Sequence, residues 1–117
     1  MFFYKSDSKV LISSSELSID GLKVVKANTV DAAVEKHVPL ISVDGNNVVI
    51  TVGEVLHPML EEHYIEFVVI ETSCGYQVHY LKPGEEPIAV FLLSEGETLL
   101  NAYCYCNLHG LWMSSSN

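Results

Sequence analysis

The chain has 117 residues, of which 49% are hydrophobic and 18% are charged, so it is too apolar for a disordered protein and suits one packed domain. Six lysines and no arginine stand against fifteen acidic residues, which gives a formal net charge of −9. This balance argues against nucleic acids and anionic membranes as partners, because both are bound through clustered positive charge. The longest apolar run, Ile88–Leu93, is also too short to cross a bilayer.

The first 27 residues contain three short apolar segments that we predict to be β-strands. A piece of this size is too short to hold a core alone, so we expect it to dock on the rest of the chain or on another subunit. The predicted strands of this N-terminal β appendage are Phe2–Lys5, Lys9–Ser13 and Leu22–Ala27.

One helical candidate follows the appendage. We predict a short helical turn over Thr29–Val34, with Asn28 or Thr29 placed to cap its N-terminus.

The remainder of the chain alternates between β-branched segments and turn sequences such as Asp44-Gly45-Asn46. The segment His63–Glu71 alternates with period two, which predicts that Ile65 and Phe67 lie on the same face of a strand. Short strands at spacings of about 8–12 residues favour an all-β antiparallel sandwich or barrel. The predicted strands are Val38–Val43, Asn47–Val52, His63–Glu71, Tyr76–Leu81, Pro87–Leu93 and, as the last long strand, Thr98–Tyr105.

Three cysteines, an odd number, and the lack of a secretory signal at the start of the sequence favour reduced thiols in the cytoplasm over a disulfide framework. A thiolate is therefore available as a metal ligand, although a buried free cysteine is commonly just a core residue. Cys104 shares strand parity with Cys106, and core packing is the more frequent role for such a residue.

Four of the five histidines and one cysteine stand in distinctive surroundings: His37, His57, His63, and the pair Cys106-x-x-His109. A single histidine beside a proline is more often a hydrogen-bonded loop residue than a ligand, but core packing explains the whole group badly. Four imidazoles and one thiolate make a five-coordinate set that suits an iron with one open position. A thiolate opposite that position would push electron density onto a bound small oxygen species.

A second interpretation uses the spacing Cys106-x-x-His109-x-x-x-Met113, which resembles the ligand loop of blue-copper electron carriers. That interpretation leaves one of His57 and His63 spare and gives His37 no role. A non-catalytic iron-binding module with the same ligands is a further alternative.

Three segments carry a family resemblance: Asn28–Pro39, His57–Glu66 and Cys106–Trp112. In these segments the chain resembles the superoxide reductases, the family of neelaredoxin and desulfoferrodoxin. The resemblance implies an immunoglobulin-like antiparallel β-sandwich. It also implies an oxidoreductase that reduces superoxide to hydrogen peroxide, by one electron, at a mononuclear non-haem iron, in defence against oxidative stress.

The resemblance also implies roles for individual residues. Glu35 matches a carboxylate that can occupy the sixth position in the oxidised resting state, and Lys36 matches an exposed lysine beside the open site. An ammonium group there would attract an anion and organise water for proton delivery. The implied ligands are the imidazoles of His37, His57, His63 and His109 in the equatorial plane and the thiolate of Cys106 on the axis.

The chain departs from desulfoferrodoxins at its front, where those proteins carry a rubredoxin-like iron domain held by four cysteines. Residues 1–73 contain no cysteine, so a second iron cannot bind there. We expect residues 1–27 to be a metal-free remnant of that desulforedoxin-like domain and residues 28–117 to be the superoxide reductase iron domain. The expected partners are superoxide, an external electron donor such as rubredoxin, and a second copy of the chain in a homodimer or higher homo-oligomer.

Overall fold

Ten β-strands and one short helix make up residues 1–116, which are the residues that the computed structural model describes. The last residue of the predicted 28–117 domain therefore lies outside the described residues. The elements are β1 (Phe2–Ser6), β2 (Lys9–Ser13), β3 (Lys23–Val25), α1 (Val34–His37), β4 (Pro39–Asp44), β5 (Asn47–Val52), β6 (Ile65–Thr72), β7 (Gly75–Tyr80), β8 (Ile88–Leu92), β9 (Leu99–Cys106) and β10 (Gly110–Ser115).

The strands form three antiparallel sheets, and two of these sheets face each other as a sandwich. The four-stranded sheet has the order β10-β9-β6-β7, and the three-stranded sheet opposite has the order β4-β5-β8. The predicted all-β sandwich is confirmed. Alternate residues of the strands fill the space between the sheets, because side chains of a strand point to its two faces in turn. This core includes Val48, Ile50 and Val52 of β5 with Val68, Ile70, Ala102 and Cys104 from the sheet opposite.

A β-bulge at the start of β6 changes which residues enter this core. The pairing of β6 with β9 shifts register between Ile65 and Phe67, so Glu66 is an extra residue. Ile65 and Val68 therefore pack inside the sandwich, whereas Phe67 packs against the opposite face of the sheet. The prediction that Ile65 and Phe67 share a face is wrong, because period-two alternation does not survive the inserted residue.

The N-terminal appendage is the third sheet, with the order β2-β1-β3. It covers the outer face of the four-stranded sheet, where Phe3 lies against Tyr103 with ring centroids 4.9 Å apart. Phe67 and Tyr105 stack beside this pair at 5.5 Å. The four-stranded sheet is consequently apolar on both faces, and most residues of β9 are buried.

The helix does not lie where the sequence predicted it. Residues 29–33 are irregular, and α1 begins at Val34, after an N-cap residue, Ala33, that makes no side-chain capping bond. Asn28 instead has a positive φ of 61° and ties the linker to β10, because its side chain accepts a bond from Met113 N and donates to Met113 O. The residue that we expected to cap a helix therefore fixes the linker to β10 instead.

The predicted strands agree with the observed ones to within two residues at each end, but β10 follows the strand that was predicted to be the last long one. Its three consecutive apolar residues hide the strand period, because Leu111 and Met113 face the N-terminal sheet while Trp112 enters the sandwich. Among the described residues, no helix is long and apolar enough to span a membrane.

Candidate metal centre

Three connections meet at one end of the sandwich and carry the five residues singled out from the sequence. Strand pairing explains this meeting, because Pro39 pairs with Val52, and Ile65 pairs with Cys106. The helix before β4, the loop between β5 and β6, and the hairpin between β9 and β10 are therefore neighbours. They supply His37 from α1, His57 and His63 from the β5–β6 loop, and Cys106 and His109 from the β9–β10 hairpin.

The four imidazole rings form a nearly square array. Neighbouring centroids are 4.7 Å apart for His37–His57 and His57–His63, 5.1 Å for His63–His109 and 4.9 Å for His37–His109. The His37–His63 distance is longer, 6.5 Å, as expected for a diagonal of that square. Each ring is inclined by 71–87° to its neighbours. The four rings are therefore close enough for one nitrogen atom of each to share a common centre.

Hydrogen bonds fix the tautomers of two of these rings. Nδ1 of His37 lies 2.7 Å from the carbonyl oxygen of Ala33, and Nδ1 of His57 lies 2.7 Å from that of Pro58. A carbonyl only accepts, so both Nδ1 atoms carry the proton and donate it. Burial lowers the pKa of His37 and lowers that of His57 to about 4, so both rings are neutral at pH 7.

The two Nε2 atoms therefore present lone pairs, and these atoms lie only 3.2 Å apart. Two acceptors at this distance, both buried, repel each other unless a cation lies between or beside them. This arrangement of His37 and His57 is the observation that favours a metal over a hydrogen-bonded core.

The other two rings present nitrogen atoms to the same centre. Nε2 of His63 is buried and has no hydrogen-bond partner among the described residues. His109 approaches through its other nitrogen, with Nδ1 3.1 Å from Nε2 of His37 and 3.9 Å from Sγ of Cys106. An orphaned buried nitrogen is costly in a folded protein, and a bound cation would remove that cost.

Cys106 brings a sulfur atom to the array. One ligand atom from each of His37, His57, His63 and Cys106 lies within 4.8 Å of the other three. Burial raises the pKa of the Cys106 thiol, although the backbone N–H groups of Leu108 and His109 point at the sulfur and oppose that rise. In the absence of a cation the sulfur is a thiol, and a bound metal would deprotonate it.

Two inward-facing residues outside the proposed ligand set hold His37 in place. Trp112 stacks on the His37 ring, with centroids 4.9 Å apart, and Cys104 donates its S–H to the His37 carbonyl at 3.1 Å. Cys104 is fully buried, and burial raises the pKa of its thiol, so it acts as a neutral donor. The sequence indicates that Cys104 lies on the same face of the strand as Cys106, because the two residues are two positions apart. It does not reveal the hydrogen bond from Cys104 to the backbone of His37.

Glu35 and Lys36 lie on α1 with exposed side chains, directly before His37. Their charges reach the site, because Glu35 raises the pKa of His37 and Lys36 lowers the pKa of His63, each as a minor effect beside burial. The loop after β5 packs tightly on this helix. A Cβ atom at Gly53 would lie 2.7 Å from the Lys36 carbonyl oxygen, so only glycine fits there.

The donor set fits a mononuclear iron better than it fits copper. Imidazole suits late first-row metals, and a thiolate beside four imidazoles leaves a six-coordinate ion one free position. A blue-copper site would need Met113 as its weak axial ligand. Met113 packs on the outer face of the sheet against the N-terminal appendage, away from the side that Trp112 and Cys106 occupy. The blue-copper interpretation is therefore not favoured.

Comparison with known proteins gives a consistent result. The sequence model of the family described as Desulfoferrodoxin matches residues 29–115. The chain is similar to a desulfoferrodoxin homolog from Archaeoglobus fulgidus, with 46% identity over 94 residues that cover 80% of this chain and 73% of the relative.

Solved structures agree with the sequence comparison. The superoxide reductase from Treponema pallidum matches with a TM-score of 0.82 and 35% identity, covering 97% of this chain and 98% of the other. A superoxide reductase of the 1Fe type from Giardia intestinalis matches with a TM-score of 0.58 and 36% identity, covering 68% and 95%. Because the match to the Treponema pallidum structure covers 97% of this chain, it includes the N-terminal sheet.

Proposed function

The chain belongs to the desulfoferrodoxin family, and from its metal centre we infer that it is a superoxide reductase. The reaction joins one superoxide anion, one electron and two protons to give one molecule of hydrogen peroxide. The observation that carries this inference is the convergence of the His37, His57 and His63 imidazoles and the Cys106 thiol within 4.8 Å of one another, with two opposed lone pairs on His37 and His57 only 3.2 Å apart. His109 joins this group through its Nδ1, 3.1 Å from Nε2 of His37.

We propose that all five side chains hold the iron of this family. Their ligand atoms would be Nε2 of His37, His57 and His63, Nδ1 of His109 and Sγ of Cys106. Iron bound here supplies the electron by passing between its ferrous and ferric states. The Cys106 thiolate would donate electron density to the metal and so favour release of peroxide as the product.

Lys36 places a positive charge near the site of a protein that is otherwise strongly acidic. Residues 28–117 hold twelve acidic residues and two lysines, Lys36 and Lys82, yet the substrate is an anion. We propose that the Lys36 ammonium, one residue before His37, attracts superoxide to the site and organises the water that delivers protons. Glu35, whose side chain is exposed on the same helix, would supply a carboxylate as a sixth ligand to the oxidised metal.

An external protein is the proposed source of electrons. No second group of cysteine or histidine ligands appears among residues 1–116, so the chain holds no relay of its own there. Large apolar side chains next to the ligands are exposed, which is typical of a surface that binds another protein. We propose that a rubredoxin or a similar small carrier docks on them. They are Val34, Val55, Leu56, Leu60 and Leu108, each 51–59% exposed.

We propose that residues 1–27 are a remnant of a desulforedoxin-like domain that has lost its metal. Their lack of cysteine and their three-stranded sheet support this proposal. The same sheet has two free edges, β2 and β3, which would suit contact with a second copy in a homodimer. Because Cys106 must be a free thiol to bind iron, we also propose the cytoplasm as the compartment.

The proposed function can be tested with purified protein whose metal content has been measured. Radiolytic pulses of superoxide should oxidise the ferrous protein rapidly, with one peroxide formed per superoxide and no oxygen released. Release of half an oxygen molecule per superoxide would indicate a dismutase, and a slow reaction would indicate a non-catalytic iron-binding module. Substitution Cys106→Ser should abolish the thiolate-to-iron absorption band, and a variant that keeps that band would overturn the ligand assignment.

A further inference from the structure

Asn107 lies between Cys106 and His109, in the hairpin that joins β9 to β10, and its side chain is half-buried. It is not one of the ligands. Its side chain turns toward the segment that precedes β6, where it bonds to the backbone of Glu62 and of Tyr64.

Three hydrogen bonds join Asn107 to the two residues that flank His63. Its Oδ1 accepts from Tyr64 N at 3.0 Å, and its Nδ2 donates to the Glu62 carbonyl at 3.1 Å. Its backbone N–H donates to the Tyr64 carbonyl at 3.2 Å. One planar amide therefore holds the chain on both sides of His63 at a fixed separation.

His63 has few other restraints on its position. It lies outside the β6–β9 ladder, which begins where Ile65 pairs with Cys106. Among residues 1–116, its backbone N–H and carbonyl bond only to Leu60, inside the same loop, at 3.1 and 2.9 Å. Those two bonds shape the loop but do not connect it to the β9–β10 hairpin, whereas the bonds of Asn107 do.

We propose that Asn107 is a positioning residue that sets the place of the His63 imidazole relative to the Cys106 sulfur. This inference rests on the proposed function, since it assumes that both side chains bind one metal ion. Without the side-chain amide, only the backbone bond from Asn107 N–H to the Tyr64 carbonyl remains, so the position of the His63 ring relative to Cys106 is less well fixed and His63 becomes the least restrained of the five ligands. Residues that orient metal ligands in this way typically change metal affinity by about 10–100-fold when they are replaced.

Cobalt(II) binding to the metal-free protein tests the proposal without use of the enzymatic reaction. Asn107→Ala removes both side-chain bonds, and Asn107→Asp keeps the acceptor for Tyr64 N but loses the donor to Glu62. Asn101→Ala is the matched control, because Asn101 is a half-buried asparagine on β9 whose Nδ2 bonds to Glu71 at the other end of the strand. Cobalt titrations, absorption spectra and far-UV circular dichroism would be recorded for all variants and for wild-type protein.

We expect cobalt affinity to fall by about 10-fold or more for Asn107→Ala, to fall less for Asn107→Asp, and to stay within about twofold for Asn101→Ala. The sulfur-to-cobalt band should persist while the ligand-field bands change, because Cys106 stays bound when His63 is lost. Unchanged affinity and spectra in Asn107→Ala would overturn the proposal, as would an equal loss in Asn101→Ala. If Asn107→Ala does not fold, Asn107→Asp decides by the same criteria. Failure of wild-type protein to bind cobalt would instead overturn the ligand set itself.

Discussion

The indole of Trp112 stacks on the imidazole of His37, with centroids 4.9 Å apart and planes inclined by 24°, while its Nε1–H donates to the carbonyl of His109 at 3.0 Å. One side chain thus restrains two proposed ligands that lie 72 residues apart in the sequence. Its effects on the two ligands are chemically separable, since the stack needs only an aromatic ring and the hydrogen bond needs the indole nitrogen.

Replacing Trp112 by Phe should retain the stack and remove the bond to His109. We expect iron to be lost to a chelator about tenfold faster, because the His109 carbonyl has lost its donor and the backbone that carries the His109 ring is less restrained. Stopped-flow measurement of iron release checks this. Tyr103→Phe is the control, since it also removes a hydrogen-bond donor from a buried aromatic residue but leaves the site untouched. Equal release rates for wild type and Trp112→Phe would contradict the prediction.

Replacing Gly53 by Ala should destabilise the protein strongly. The new Cβ would lie 2.3 Å from the Val55 carbonyl oxygen and 2.7 Å from that of Lys36, at a φ of +91°. Gly96→Ala is the control, because Gly96 has a similar φ of +83° but no atom within 4 Å of such a Cβ. Strain at positive φ costs about 1–2 kcal/mol in both variants, and the collision should add at least about 2 kcal/mol to Gly53→Ala alone. Urea unfolding measures the difference, and similar losses in both variants would refute it.

Glu71 should make stability depend on pH below the ordinary range of a carboxyl group. Partial burial raises the pKa of Glu71, but hydrogen bonds from Asn101 and Tyr103 and the nearby Met1 amine outweigh this effect, so the pKa lies below 4.5. When the pKa of a carboxyl group is lower in the folded state than in the unfolded state, its ionisation stabilises the fold. This stabilisation is fully present above the pKa of the unfolded state and is lost as the pH falls through the pKa of the folded state.

The stability advantage of wild type over Glu71→Gln should therefore be largest near pH 7 and shrink as the pH falls below about 4.5. Urea unfolding at a series of pH values measures it. Glu66→Gln provides a control of opposite sign, because burial raises the pKa of Glu66 and acidification should relieve its cost. An advantage for the Glu71 carboxylate that does not vary with pH would show that the network does not depend on its charge.

Removing the Lys36 charge should slow the capture of superoxide. We expect Lys36→Ala to lower the second-order rate constant by about two- to tenfold at low salt and to flatten its dependence on ionic strength. Pulse radiolysis at several salt concentrations measures both quantities. Lys26→Ala removes the same charge from the N-terminal appendage, where Lys26 lies beside Tyr4 and Glu16, and should leave the salt dependence as in wild type. An unchanged slope in Lys36→Ala would remove Lys36 from a steering role.

Most of the β-structure could be predicted from the sequence, because strands with one covered face alternate visibly and end at glycine turns. The failures occurred where both faces are covered or where one residue is inserted. Leu111, Trp112 and Met113 are all apolar because β10 lies between two layers, and Glu66 interrupts the alternation of β6. Neither effect can be inferred from the alternation of apolar and polar residues in one strand, since each depends on the neighbouring strand or layer.

The candidate ligands could be proposed from the sequence because imidazole and thiolate are rare side chains with restricted chemistry. The residues that restrain them could not. Asn107, Cys104 and Trp112 act through backbone carbonyls and amides brought close by strand pairing. A backbone group has no signature in the sequence, so such bonds appear only when the register of the strands is known.

The cover that the N-terminal sheet provides has a consequence for shortened forms of the chain. A protein beginning at residue 28 would keep all five proposed ligands but would expose the face that carries Phe67, Val69, Tyr103, Tyr105 and Leu111. An uncovered apolar sheet of this kind adheres to its own copies. We therefore expect such a truncated protein to aggregate. The appendage would then be needed for the solubility of the protein, although it supplies none of the proposed ligands.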